Sequence, residues 1–166
     1  MEFRSCRWQW GAEFISDDVV RFRVWAEGQK DLTLRLTDTD IPMAAVGDGW
    51  FQVDVPGVRH GTPYQFVLQD GMAVPDPASR AQQADVNGPA VVIDPRHNLP
   101  AQREWQGRPW EETVIYEMHI GTFTGEGTFR AAIDKLPYLA ELGITQLEVM
   151  PVSQFGGARG WGYDGV

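Results

Sequence analysis

The sequence predicts a mixed fold, in which an all-β, immunoglobulin-like sandwich is followed by a parallel strand–helix–strand unit. Three observations carry that expectation. Residues 8–94 alternate apolar and polar positions in short runs parted by turn residues, with no long helical pattern. Residues 75–110 are punctuated by Pro75, Pro77, Pro89, Pro95, Pro100 and Pro109. Residues 114–150 then read as strand, loop, helix and strand.

Within the first region Val20, Phe22 and Val24 alternate with Arg21, Arg23 and Trp25, which suits a strand with one buried face. Leu32, Leu34 and Leu36 alternate in the same way with Thr33, Arg35 and Thr37, and residues 38–42 break that run. Gly47-Asp48-Gly49 marks a turn before Phe51, Val53 and Val55. Tyr64, Phe66 and Leu68 form a further run, and Asp70-Gly71 has hairpin chemistry. A sandwich of this kind carries no chemistry by its spacing alone.

The proline-rich stretch holds one strand-like segment, residues 90–93, and is expected to lie as an extended connector on its neighbours, fastened by Trp105 and Trp110. His60 and His97 stand alone in sequence and read as surface or hydrogen-bonding histidines rather than ligands. The domain boundaries expected are 1–94 for the sandwich, 95–112 for the connector and 113–166 for the unit that follows.

In that last region Val114, Ile115 and Tyr116 lead a strand through Glu117, Met118 and His119 into a glycine-rich turn at Gly121, Gly125 and Gly127. Phe129, Ala132, Ile133, Leu136, Leu139, Ala140 and Leu142 recur at three- and four-residue spacings, a stripe able to cover a sheet. Thr128 is a suitable N-cap and Gly143 a suitable stop. Pro137 interrupts the pattern, so the expectation is a kink or two short helices, with Pro137 in the first turn of the second. Residues 144–150 make the second strand, parallel to the first through a right-handed crossover.

Composition narrows the partners. With 43% hydrophobic and 22% charged residues the chain is of globular type. Its net charge of −9 argues against nucleic acid or an anionic membrane, which need a clustered basic surface. Cys6 is the single cysteine, so neither an internal disulfide nor a cysteine metal site is expected, and no metal or organic cofactor is implied. The opening MEFRSCRWQWGAEF has no apolar h-region and no run approaches a membrane span, so a cytoplasmic location is the default. Seven Trp, eight Phe and four Tyr supply flat apolar area for cores, for sugar stacking, or for both.

Six residues are site candidates: Glu117, His119, Glu148, Trp161, Tyr163 and Asp164. A buried carboxylate at Glu117 or Glu148 needs a partner, and pairing with an Arg or a backbone N–H is the commoner reason for one. His119 either holds the loop that follows it or touches substrate. Trp161 and Tyr163 stand among Gly160, Gly162 and Gly165, where little core needs filling and the apolar face of a sugar ring stacks well. Glu117 and Glu148 lie on or near the two strands, and the other four lie at or beyond their carboxyl ends, the end where parallel α/β folds bind ligands.

The stretch VIYEMHIGTFTGEGTFRAAIDKLPYLAELGITQLEVMPVSQF, with GWGYDGV at the end, resembles the start of the catalytic barrel in the α-amylase clan of glycoside hydrolases. The short loop GTFTGEGTF makes it most similar to those clan members that release trehalose from the end of a maltooligosyl-trehalose chain. VPDPASRAQQADVNGPAVVIDP is similar to the connector of such enzymes, and the sandwich to their amino-terminal, glucan-binding-type domain. The resemblance implies that residues 113–166 open a (β/α)8 TIM barrel and that the parent protein is a hydrolase of trehalose biosynthesis, acting on a maltooligosaccharide or maltooligosyl-trehalose. It places Tyr163 in the sugar subsite beside the cleaved bond, with Trp161 and Asp164 shaping that loop and His119 and Glu117 in support. Gly160 departs from the pattern, since many relatives carry Asn there.

The resemblance also implies an absence. Retaining glycosidases use one carboxylate as nucleophile and a second as acid and base, and in the clan these come from later strands than the two present here. The 54 residues from 113 to 166 fall far short of the roughly 250 of a whole barrel. No catalytic residue is therefore expected, and the chain alone is expected to hydrolyse nothing. Two strands and a helix would leave apolar faces open, which a second chain, the sandwich or the rest of a longer protein could cover. Two other readings stand beside this one: a fragment of a glycogen-branching or debranching enzyme, and a non-catalytic glucan-binding module formed by residues 1–94.

Overall fold

The computed structural model describes residues 10–98, 107–163 and 165. The expectations for Cys6, Trp105 and Asp164 fall outside them. The chain is mostly β-strands in sheets with few helices, and it divides into two compact units, Met1–Pro100 and Ala101–Val166.

Among its described residues the first unit holds nine strands: β1 (Gly11–Phe14), β2 (Val19–Trp25), β3 (Thr33–Leu36), β4 (Thr39–Pro42), β5 (Ala44–Gly47), β6 (Trp50–Pro56), β7 (Pro63–Val67), β8 (Ala73–Val74) and β9 (Ala90–Val91). One antiparallel sheet runs β1-β2-β6-β5; the other runs β4-β3-β7-β8, with β9 also pairing β7. Alternation buries Val20, Phe22 and Val24 from one sheet and Leu34, Tyr64 and Phe66 from the other in a single core. The Phe22 and Tyr64 rings meet edge to face at 4.9 Å, joining the two layers. On the outside, Arg21 grips Asp54 and Arg35 grips Asp40 through paired hydrogen bonds of 2.7–2.8 Å between register partners.

Two expectations change here. Residues 38–42 do not merely end a strand: they turn back as β4, with Thr37 at φ 52. Nor does the whole proline-rich stretch lie on the surface. Ala90 and Val92 are fully buried in the core, β9 is a sheet member, and Asp76 and Asp94 are buried with it. The prolines interrupt the ladder without lifting the segment out of the fold. His60 and His97, isolated in sequence, stack with ring centroids 4.5 Å apart. They border a cavity of about 380 Å³ lined also by Phe14, Asp17, Arg59 and Arg96.

The second unit contains β10 (Ile115–Met118), α1 (Ile120–Phe123), α2 (Phe129–Asp134), α3 (Leu136–Glu141) and β11 (Gln146–Val149). β10 and β11 are parallel, in the register Ile115↔Gln146, Tyr116↔Leu147, Glu117↔Glu148 and Met118↔Val149. The Thr128 hydroxyl accepts the Ala131 N–H at 3.2 Å and caps α2, and Pro137 stands in the first turn of α3. Two short helices result, since proline's missing donor is harmless in a first turn. The glycine-rich segment contains a turn of helix, α1, where only a loop is expected from sequence. The predicted stripe is covered only in part: Ala132 and Leu139 are buried, whereas Phe129, Ile133, Leu136 and Leu142 are exposed, as are Leu147 and Val149.

Candidate functional site

The two parallel strands end side by side. Met150 N–H donates to the Met118 carbonyl at 3.0 Å, extending the ladder by one bond, and the chain then runs through residues 151–163 at that same carboxyl end. His119 leaves β10 there as the N-cap of α1, its carbonyl accepting from the N–H groups of Thr122 and Phe123.

The imidazole lies between two glycines. A Cβ placed on Gly121 would come within 2.9 Å of His119 Cε1, and one on Gly162 within 2.8 Å of His119 Cδ2 and 2.6 Å of Met150 Cε. Gly162, at φ +92, is therefore required both by its backbone and by its neighbours. His119 Nδ1 is buried and has no hydrogen-bond partner among the described residues. On either side of the buried Gly162, Trp161 and Tyr163 are 74% and 65% exposed. The structure thus brings His119, Trp161 and Tyr163 to one place; Asp164 lies outside the described residues.

The two carboxylates are placed otherwise than expected. Glu117 and Glu148 are both exposed rather than buried, and they are register partners of each other rather than of a cation. Directly paired residues of parallel strands share a face, so the two acids stand on the same side of the sheet. A cavity in this unit, about 290 Å³ and lined by Gly107, Arg108, Thr113, Thr145 and Gln146, opens at the strands' amino ends, away from His119 and Tyr163. Among the described residues no group of three or more His, Cys, Asp or Glu could hold a metal ion. Nor is any helix there long and apolar enough to cross a membrane.

Sequence reasoning missed one member of this cluster. Met150 has no signal beyond its place at a strand end, yet its thioether is within reach of any side chain at position 162. Gly162 reads in sequence only as a loop residue, and the fold makes it the point of close approach to His119 and Met150.

No protein-family model matches the chain. A solved structure of a provisionally assigned α-amylase from Salmonella typhimurium is 66% identical to it with a TM-score of 0.91, over 95% of this chain and 27% of that one. Malto-oligosyltrehalose trehalohydrolase of Saccharolobus solfataricus is 42% identical over 153 residues, 92% of this chain and 27% of the relative. The enzyme of the same name from Deinococcus radiodurans is 44% identical over 147 residues, 89% of this chain and 24% of the relative. By these likenesses the chain is similar to α-amylase-family enzymes. Within that class it is similar to the amino-terminal portion of malto-oligosyltrehalose trehalohydrolases, and it spans about a quarter of the length of the curated relatives it matches.

Proposed function

We propose that the chain is the amino-terminal part of an α-glucan-active glycoside hydrolase, one that cleaves the α-1,4 bond next to the trehalose end of maltooligosyl-trehalose and releases trehalose. In this reading residues 1–94 form an immunoglobulin-like, glucan-binding-type domain, residues 95–112 a connector, and residues 113–166 the opening strand–helix–strand unit of a (β/α)8 barrel. The observation that carries it is identity of 42–44% with trehalose-releasing relatives over about nine tenths of the chain. The parallel register of β10 and β11 and the exposed aromatics beyond their carboxyl ends support it.

Tyr163 and Trp161 are the sugar-holding residues of this reading. Each offers a flat, solvent-facing ring to the apolar face of a glucose unit, and Asp164 would follow them in the same loop. His119 lies beneath that loop. Hydrolysis needs a nucleophile and an acid/base pair at a fixed separation about the anomeric carbon. Glu117 and Glu148 are directly paired across neighbouring strands with both side chains exposed, and the resemblance assigns the nucleophile and the acid/base to other strands of the barrel. The chain alone is therefore proposed to bind glucan and to hydrolyse nothing.

The test is to incubate the chain with maltooligosyl-trehalose and to titrate it with maltotetraose, following tryptophan fluorescence. Saturable binding that Tyr163→Ala abolishes, with no trehalose released, is the expected result. Release of trehalose would overturn the inactive assignment, and binding indifferent to Tyr163→Ala would move the site to the sandwich. For the longer protein, activity on maltooligosyl-trehalose in preference to a branched glucan separates this function from branching or debranching.

A further inference from the structure

We propose that His119 is a positioning residue whose ring, acting as a rigid spacer between Gly121 and Gly162, sets the height of the aromatic loop and so the presentation of Trp161 and Tyr163. This rests on the reading of Tyr163 as a glucan-holding residue, but it can be decided without any ligand.

The two edges of the imidazole are each in contact with a backbone stripped of its side chain: Cε1 and Nδ1 toward Gly121, Cδ2 toward Gly162. Gly121 is itself approached from behind, since a Cβ on Gly127 would lie 2.8 Å from the Gly121 carbonyl oxygen. Gly127, Gly121, the His119 ring and Gly162 thus form a continuous stack from the loop after β10 to the loop after β11. None of the three glycines can take a Cβ without displacing its neighbour. Close packing of this sort transmits position because neighbours cannot interpenetrate.

Nδ1 makes no hydrogen bond to the loop among the described residues: it is buried, on the ring edge that faces Gly121. A histidine selected to hydrogen-bond the loop would spend that buried atom on a loop donor or acceptor. What the loop receives from His119 is a flat, stiff edge at van der Waals distance. Trp161 and Tyr163, one residue either side of the contact, turn outward because Gly162 turns in.

The experiment compares His119→Phe, which keeps a flat ring without nitrogens, with His119→Ala, which removes the ring, and with Gly162→Ala, which inserts a methyl into the contact. The readout is the ¹⁵N-relaxation order parameter of the Trp161, Gly162 and Tyr163 amides in the full chain. Wild type and His119→Phe are expected near 0.85, and His119→Ala and Gly162→Ala to fall below about 0.6. The shifts of the β10 and β11 amides report whether each variant is folded, and Gly162→Ala carries the test should His119→Ala not fold. Low order parameters in the wild type, unchanged ones in His119→Ala or Gly162→Ala, or a loss in His119→Phe equal to that in His119→Ala would each overturn the proposal. Maltotetraose titration of the same samples keeps the two ideas apart. Absence of wild-type binding counts against Tyr163 as a sugar residue, whereas roughly tenfold weaker binding confined to the two loop-loosening variants supports both.

Discussion

The Tyr64 hydroxyl donates a 2.6 Å hydrogen bond to Asp76 Oδ2 with both side chains buried, while the Ala78 N–H serves the other carboxylate oxygen at 2.7 Å. The pair ties the segment after β8 to the start of β7. Removing the hydroxyl leaves a buried carboxylate oxygen without its donor, which costs about 1–3 kcal/mol. Tyr64→Phe is therefore expected to lower the unfolding free energy of the first unit by that margin, read as a lower urea midpoint, and an unchanged midpoint would show that the bond is replaced by water.

The same carboxyl predicts a pH dependence. Burial pushes Asp76 above the ordinary carboxylate value, only partly opposed by its hydrogen bonds to Tyr64 and Ala78 and by Arg80. Because the folded value exceeds the unfolded one, the fold favours the protonated form; this contribution is full below the ordinary range and is lost as pH rises through the raised value. Asp54, Asp40 and Asp94 behave oppositely. Hydrogen bonds from Arg21, Arg35 and Arg96 hold them low, so their stabilisation is present above the ordinary range and lost as pH falls through the lowered values. Asp76→Asn removes only the first effect. Urea denaturation of wild type and variant from about pH 3 to 8 is expected to show the wild type gaining on the variant toward acid. A gain toward neutral pH would mean that the carboxylate is stabilised as an anion.

How much of this was legible in the sequence depended on whether burial imposed a period. β2, β3, β6 and β7 alternate because one face of each meets the core, and residues such as Val20, Phe22, Leu34 and Tyr64 announce it. β4 and β5 are mostly or wholly exposed, so nothing selects alternation in TDIP or AAVG, and both were invisible. Strand β9 falls within the strand-like segment expected at residues 90–93, and only its burial in the core, with Ala90 fully buried, had no signal. The parallel unit, the split at Pro137 and the Thr128 cap were readable from local chemistry. The close approach of His119 to Gly162 was not, because it joins residues 43 positions apart in sequence through loops that carry no pattern.

Turn chemistry gives a sharper test in the hairpin between β5 and β6. Asp48 and Gly49 both have positive φ, 49 and 77, the pairing that a two-residue turn of this handedness demands. A Cβ at position 49 would also lie 2.7 Å from Glu27 Cβ and 2.9 Å from Trp25 Nε1, whose N–H donates to the Asp48 carbonyl. Backbone strain and collision add, so Gly49→Ala is expected to destabilise the first unit by about 2 kcal/mol or more. Gly57, also at positive φ but with open space around its Cβ position, supplies the control: Gly57→Ala should cost roughly half as much, since only the backbone term remains. Equal losses at the two sites would mean that the contact with Trp25 relaxes freely.

The opposed acids Glu117 and Glu148 yield the last prediction. Neighbouring strands lie about 4.8 Å apart, so register partners on one exposed face bring like charges together. Such a pair costs about 0.2–1 kcal/mol, and Glu148→Gln removes it while keeping shape. The Met150 amide, bonded to the Met118 carbonyl at the end of the same ladder, reports the local stability. Its hydrogen exchange is expected to slow about twofold or more in Glu148→Gln at low salt, with Glu117→Gln giving a similar gain and the double variant little extra, because either change already removes the repulsion. In about 1 M NaCl, where screening acts over some 3 Å, the advantage should shrink toward nothing. A gain that survives high salt would place the benefit in packing or strand propensity rather than in charge.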